Sequence, residues 1–313
     1  MADFTSRIYE QQIKERFLNS IDVSQYPPRW WERVFEKSYI FEIEKQKDLF
    51  NFIVPEILEF YKFLDVGSLA PLIVYNVNLT KYAQWALNEN MVVDGQNHFD
   101  VISTDLLNSC VNKIKMKQSI VTYDYFIDKV LPQIENEQDQ FVFFCLFEGI
   151  KGKNYQEIID LKLSDIDEKN QTVSLSSGRE IYVSKDFINI CKKANTQTVY
   201  TTLTGSCREY PLIPGVEIFK EKYNAHGGDK NRTVYNTILR NTNTVANLSY
   251  VVTARSLRDS GMIYYINKRA DKLGVPVEQL LFSPENCQDI IDKYQLHRTA
   301  RRRWITQYSD FLH

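Results

Sequence analysis

The sequence predicts a mainly α-helical chain of two domains, with a small β-hairpin in the second. Apolar residues recur at helical spacing through most of its length. Strand-like alternation is absent before residue 117 and is clear only in Thr172-Val-Ser-Leu-Ser-Ser-Gly-Arg-Glu-Ile-Tyr-Val183. The run Lys113-Ile-Lys-Met-Lys117 has no obvious place in a core and marks a boundary. With 313 residues, 43% of them hydrophobic and 13% aromatic, the chain can fill two cores. The expected division is a helical domain over 1–112, a basic connector over 113–119 and a mixed domain over 120–313.

In the first half, Ile8, Ile13, Phe17 and Leu18 lie near one stripe of a helix over 5–20, and Pro27-Pro28 ends that run before the aromatic group Trp30, Trp31 and Phe35. Leu49, Phe50, Ile53, Ile57, Phe60, Tyr61 and Leu64 predict a helix over 47–64, with Gly67 just past its end. Further helices are expected from Asn78 and between His98 and Cys110. In the second half, helices over 123–134, 140–147 and 155–163 precede the hairpin, whose turn carries Gly178. Helices then follow through Ile238, over 258–273 and over 277–281, before a basic C-terminal stretch.

The net charge of -2 conceals an uneven distribution. Residues 1–117 carry 13 Lys and Arg against 16 Asp and Glu, residues 118–229 carry 12 against 17, and residues 230–313 carry 13 against 7. The last segment is thus +6 (13 minus 7) and holds nine of the 15 arginines, which suits a surface facing phosphates. The five cysteines are scattered without a C-x-x-C pair and read as reduced, mostly buried thiols of a cytoplasmic protein. None of the four histidines pairs with cysteine or carboxylate at ligand spacing, so neither a metal nor any other cofactor is expected. The N-terminus lacks an apolar signal core, and no run reaches the roughly 18 apolar residues of a membrane span, so no membrane association is expected.

The segment Val252-Thr-Ala-Arg-Ser-Leu-Arg-Asp-Ser-Gly-Met-Ile-Tyr-Tyr-Ile266 carries the most chemistry. It resembles the active-site box of the tyrosine recombinase (phage integrase) family, in which a His-x-x-Arg pair opens a helix. Arg258 stands at the arginine position and Arg255 at the histidine position. A guanidinium is a five-donor phosphate clamp, but it stays protonated and cannot act as a general acid or base. The order of elements resembles the same family over nearly the whole chain. The stretch from Phe147 to Asp167 is similar to its first box, with Lys151, followed by Lys153, where active members carry an arginine. Arg179 occupies the hairpin, where the family places a catalytic lysine. Leu296-His297 and Tyr308 resemble the late histidine box and the nucleophile, with Arg301-Arg-Arg-Trp304 between them. Cleavage needs nucleophile, acid–base partners and clamps acting together. With several of those positions altered, the resemblance implies a fold that holds DNA without cutting it.

Lys47-Asp-Leu-Phe-Asn-Phe, Asn76-Val-Asn-Leu-Thr-Lys-Tyr and Gln96-Asn-His-Phe99, with the degenerate boxes, resemble the master repressors of lysogeny of SPbeta-type Bacillus prophages. That resemblance implies a non-enzymatic repressor whose partner is double-stranded DNA at phage operator sites. A protein or peptide antagonist is compatible with it, and the oligomeric state is open. Expected phosphate contacts are Arg255, Arg258, Lys151, Lys153, Arg179, Arg298, Arg301, Arg302 and Arg303, with Lys113, Lys115 and Lys117 tracking the duplex from the connector. Asn78 and Lys81 begin a helix with polar groups suited to base edges. Plainer readings stand beside these: a solvated helical face for the arginines, a solubilising connector for the lysines, and an ordinary N-cap for Asn78. An active recombinase using Tyr308 with Lys151, Arg258 and His297, or an interaction module that no longer binds DNA, are the alternatives.

Overall fold

The computed structural model describes residues 7–21, 27–202, 208–223, 228–283, 285, 287–296 and 301–313, without the side chains of 301–303. The chain folds as two compact units, residues 1–116 and 117–313.

The first unit is helical, with no strand among its described residues. It comprises α1 (Gln11–Ser20), α2 (Pro28–Lys45), α3 (Val54–Phe63), α4 (Leu69–Asn88), α5 (Thr104–Ser109) and the start of α6 (Lys113–Ser119). Pro28 at the first position of α2 suits a helix start, because its missing N–H has no intrahelical partner there. Aromatic edges lock the core: Phe17 meets Trp31 at 4.9 Å and Tyr82 at 4.8 Å, both T-shaped. Helix α4 begins at Leu69, nine residues before the expected start, so Asn78 is mid-helix and not a cap. Residues 113–119 form a helix with Met116 fully buried, where an open connector was expected.

Among these rings lies a buried charge cluster. The ammonium of Lys14 donates to Tyr9 O at 2.8 Å, to Glu42 Oε1 at 2.7 Å and to Asp48 Oδ2 at 2.8 Å, and both Lys14 and Glu42 are 0% exposed. Asp48 also accepts from Tyr82 Oη at 2.9 Å, and Glu42 from Ser38 Oγ at 2.8 Å and Leu49 N at 3.0 Å. Two carboxylates facing one cation leave an excess negative charge in an apolar setting. Burial pushes Glu42 up to about 7, against the pull of Lys14, and the neighbouring Asp48 raises it further.

The second unit is organised around α8 (Glu137–Phe147), which is apolar on every side over Phe141–Phe147 and is enclosed by α10 (Lys185–Thr196), α11 (Lys230–Thr244) and α12 (Ala254–Leu273). Before it, the expected helix over 123–134 breaks into a single turn, α7 (Tyr123–Tyr125), a π-turn over Phe126–Val130 and a 3₁₀ turn over Leu131–Gln133. Pro132 lacks the N–H that a continuous helix would use. Helix α9 (Gln156–Asp160) leads into β1 (Ile166–Asp167), β2 (Thr172–Ser174) and β3 (Glu180–Tyr182). These pair antiparallel, Ile166 with Val173 and Val173 with Ile181. The β2–β3 hairpin is the expected one, and Gly178 takes φ +84 at its turn. A second ribbon, β4 (Val199–Thr202) with β5 (Arg208–Pro211), lies where only helices were expected. Met262, Ile266, Leu280, Ile290 and Tyr308 then join α12 to α13 (Val277–Phe282), α14 (Gln288–Tyr294) and α15 (Arg301–Tyr308).

Cys110, Cys145 and Cys191 are buried free thiols, Cys287 is buried too, and burial pushes the Cys145 and Cys191 thiols up. Among the described residues no helix is long and apolar enough to cross a membrane, and no cluster of three metal-ligating side chains occurs.

A carboxyl whose folded pKa is raised holds its proton more tightly folded than unfolded. The resulting stability is complete below the ordinary value of 4.5 and is lost as pH rises through about 7. The first unit should therefore lose on the order of 3 kcal/mol between those limits. Denaturant titrations at several pH values should show the decline in wild type and its absence in Glu42→Gln, while Lys14→Met should cost about 3–5 kcal/mol.

Candidate nucleic-acid interface

Helix α12 opens with a reciprocal cap: Thr253 Oγ1 accepts from Ser256 N at 3.0 Å and Ser256 Oγ accepts from Thr253 N at 2.6 Å. Two arginines follow in the first turns. Arg255 is exposed, with its Nε 3.6 Å from Asp259, and Arg258 is half-buried. One turn on, Gly261 sits against the last turn of α8. A Cβ there would lie 1.7 Å from the carbonyl oxygen of Phe147, so no other residue fits. This close crossing brings Arg258 to the C-terminal end of α14, where it donates to the Tyr294 carbonyl.

Arg179 reaches the same helix end from the hairpin. Its Nη1 donates to Asp292 O at 2.6 Å and Lys293 O at 2.8 Å, while Nε and Nη2 grip the Glu157 carboxylate at 2.9 and 2.6 Å. Glu157, nearly sealed from solvent, also accepts from Ser177 Oγ and from Lys151 N at 3.0 Å. Burial alone would raise Glu157, but the hydrogen bonds from Arg179 and Ser177 outweigh it and hold the carboxyl below its usual range. Gly149, at φ +78, lets the α14 end approach: a Cβ there would lie 2.7 Å from Lys293 O.

The segment after Gly149 accounts for the extra residues between the first box and α9. Gly152, Asn154 and Tyr155 all take positive φ, at +67, +52 and +64. Lys151 and Lys153 project from this turn, both exposed, and the Lys151 ammonium stands 5.3 Å from the Tyr155 ring centre.

Tyr308 is 4% exposed and donates to Asp259 Oδ2 at 2.7 Å. Burial raises Asp259, and the Tyr308 hydroxyl, Arg255 and Arg258 oppose that shift. The only histidine among the described residues of this unit is His313. His297, of the late histidine box, lies outside the described residues.

Two expected contacts need correction. Asn78 is 1% exposed and donates to Val74 O at 2.8 Å, inside α4, so it is withdrawn from solvent. Arg179 is committed to Glu157 and the α14 carbonyls, a structural clamp inside the unit. In the first unit Lys115 is paired with Asp65, Lys81 is exposed and Lys113 is half-buried, while Lys117, the first residue of the second unit, is exposed. Arg298 lies outside the described residues, as do the side chains of Arg301, Arg302 and Arg303 on α15.

Helix α11 is the feature that sequence reading passed over. Its 15 residues contain three cations, four asparagines, four threonines and no acid. Arg232, Tyr235, Asn236, Leu239 and Asn243 are exposed, while Val234, Thr237, Ile238 and Asn241 are buried. Asp139, 1% exposed, anchors the buried side by accepting from Asn241 Nδ2 at 2.9 Å and Arg240 Nη2 at 2.8 Å. The absence of acids over a helix of this length was a readable signal.

Removing one partner of the buried pair should be costly: Glu157→Ala should lower the stability of the second unit by about 3–5 kcal/mol. Tyr308→Phe should cost about 1.5 kcal/mol, the worth of a hydrogen bond to a carboxylate. Urea melts of the full chain test both, and an unchanged midpoint in Glu157→Ala would contradict the arrangement.

Two family models match the chain: MrpR, N-terminal core-binding domain, over residues 8–88, and MrpR, C-terminal catalytic domain, over residues 121–312. A curated relative, the SPbeta prophage-derived uncharacterized protein YopR of Bacillus subtilis (strain 168), is 22% identical over 321 residues, covering 97% of this chain and 94% of that protein. Among solved structures, the XerA recombinase is 12% identical, with 94% of this chain and 97% of that chain covered and a TM-score of 0.34. The integrase from mycobacterium phage Brujita is 11% identical, with coverages of 95% and 91% and a TM-score of 0.28.

Proposed function

The chain belongs to the MrpR family, with a two-domain, tyrosine-recombinase-like architecture, and on that premise we propose that it is a sequence-specific double-stranded DNA-binding repressor that maintains prophage lysogeny and grips its operator without cutting it. The carrying observation is that guanidiniums stand at both positions of the α12 box, Arg255 and Arg258, where phosphate can be bound but no proton moved. Tyr308 supports the same reading, because its hydroxyl is turned into the protein on Asp259.

In this reading Arg255 and Arg258 hold phosphates at the head of α12, with the positive end of the helix behind them. Lys151 and Lys153 add charge from the neighbouring turn, Lys81, Lys113, Lys115 and Lys117 supply contacts from the first unit and the junction, and Arg298, Arg301, Arg302 and Arg303 supply them from the C-terminal stretch. Phosphate contacts fix orientation but carry little sequence information. The acid-free face of α11 supplies base recognition: Asn236 and Asn243 suit the paired donor and acceptor of adenine, and Arg232 suits guanine or phosphate.

Binding should weaken steeply with salt. Each lost phosphate contact lowers the slope of log K against log salt by about 0.9, so Arg255→Ala and Arg258→Ala should each remove about one unit from it. Asn236→Ala should instead cost about 1–3 kcal/mol on the preferred site while leaving nonspecific binding and the slope in place. Gel shifts on tiled phage DNA at several salt concentrations read all three. Undetectable binding across the tiles would point to an interaction module and contradict the repressor reading.

A further inference from the structure

The second unit carries a cavity of about 330 Å³ between α12, the last turn of α8, strand β3 and α14. Its volume falls at the small end of ordinary ligand sites. Lys293 lies at its base, 2% exposed, paired with Glu148 and donating to the Tyr182 carbonyl. Among the described lining residues Glu148 is the only acid, and it also accepts from Ser184 N at 2.9 Å, so its charge is already answered. Tyr264 and Tyr265 form one wall, and both are held in place: Tyr264 stacks on Tyr123 at 4.2 Å, and Tyr265 Oη donates to Asp289 at 3.2 Å. Lys268, Arg269 and Lys272 line the cavity along the end of α12. Arg269 is paired with Asp289 at 3.2 Å, whereas Lys268 and Lys272 are exposed and make no ion pair among the described residues. With Lys293 and Glu148 neutralising each other at the base, the aromatic wall and the two rim lysines without an ion pair favour an anion with a planar body.

We propose that this cavity binds a nucleoside monophosphate, with its phosphate on Lys268 and Lys272 and its base against the tyrosine wall. The fold also offers a route from this cavity to the arginine cluster. Lys293 and Tyr294 turn their side chains into the cavity, while their backbone carbonyls hold Arg179 and Arg258. A ligand that moves or braces this end of α14 changes how readily Arg258 leaves its carbonyl for a phosphate. That regulatory step rests on the DNA-binding reading, whereas occupancy of the cavity does not.

Isothermal titration of the full chain with AMP and with GMP, beside inorganic phosphate and uncharged adenosine, tests occupancy. The expected result is saturable one-to-one binding of a monophosphate, tighter than either fragment and weakened by about tenfold or more in Lys268→Glu/Lys272→Glu, with Lys192→Ala unchanged. No saturable binding of either nucleotide, equal binding of phosphate alone, or binding indifferent to the double variant would each overturn the proposal. Gel shifts with and without the nucleotide then separate the two readings. A nucleotide-dependent change in DNA affinity that is lost in the double variant supports the coupling. Unchanged DNA affinity on top of proven occupancy overturns the coupling alone, and nucleotide binding without any DNA binding leaves the cavity standing while the repressor reading fails.

Discussion

The C-terminal end of α14 is the constraint on which the arginine cluster depends. The last carbonyls of a helix have no intrahelical donors and must be satisfied from elsewhere. Here Asp292 and Lys293 receive Arg179, and Tyr294 receives Arg258. Gly149 has no side chain to hold that end away, and Gly261 lets α12 lie close enough for Arg258 to reach it. Glu157 completes the arrangement by balancing Arg179. Hairpin, first box, α12 and α14 thus meet at one point, and each supplies a group that the others require.

This geometry separates two tasks that a cleaving enzyme would combine. Arginine supplies charge and fixed donors at any accessible pH, but it moves no proton. Arg179 is absorbed into structure, Arg258 is held by a carbonyl that a phosphate oxygen can replace, and Arg255 is exposed. Buried Tyr308 on Asp259 serves packing and polarity at the α12–α15 contact. The first unit obeys a similar rule, since Lys14 inside its aromatic core is tolerated only because Glu42 and Asp48 surround it.

Much of this was legible in the sequence where a local pattern decides the structure. The hairpin over 172–183 announced itself by alternation and a glycine, and α12 by its apolar spacing and its arginines. What escaped depends on tertiary context. Lys14 is a buried charge whose partners lie 28 and 34 residues away, and no local pattern brings those three together. Asn78 looked like a helix start because polar residues cluster around it, but Ser68 precedes the true first turn and the asparagine folds back on Val74. The β4–β5 ribbon was passed over because Arg208-Glu209-Tyr210-Pro211 has no apolar alternation, buries none of its residues and ends in a proline, which argues against a strand. Arg179 was visible as a cation, but its engagement by Glu157 and α14 was not, because residue 292 lies far along the chain.

A site that grips phosphate without cutting leaves no covalent adduct on DNA. The most direct measurement is incubation of the full chain with nicked suicide duplexes tiled across the prophage DNA, followed by denaturing electrophoresis beside a native gel of the same samples. Discrete native complexes and no denaturation-resistant protein–DNA band are expected. A resistant band that disappears in Tyr308→Phe would show that Tyr308 leaves Asp259 to attack DNA, and would contradict a grip without cleavage.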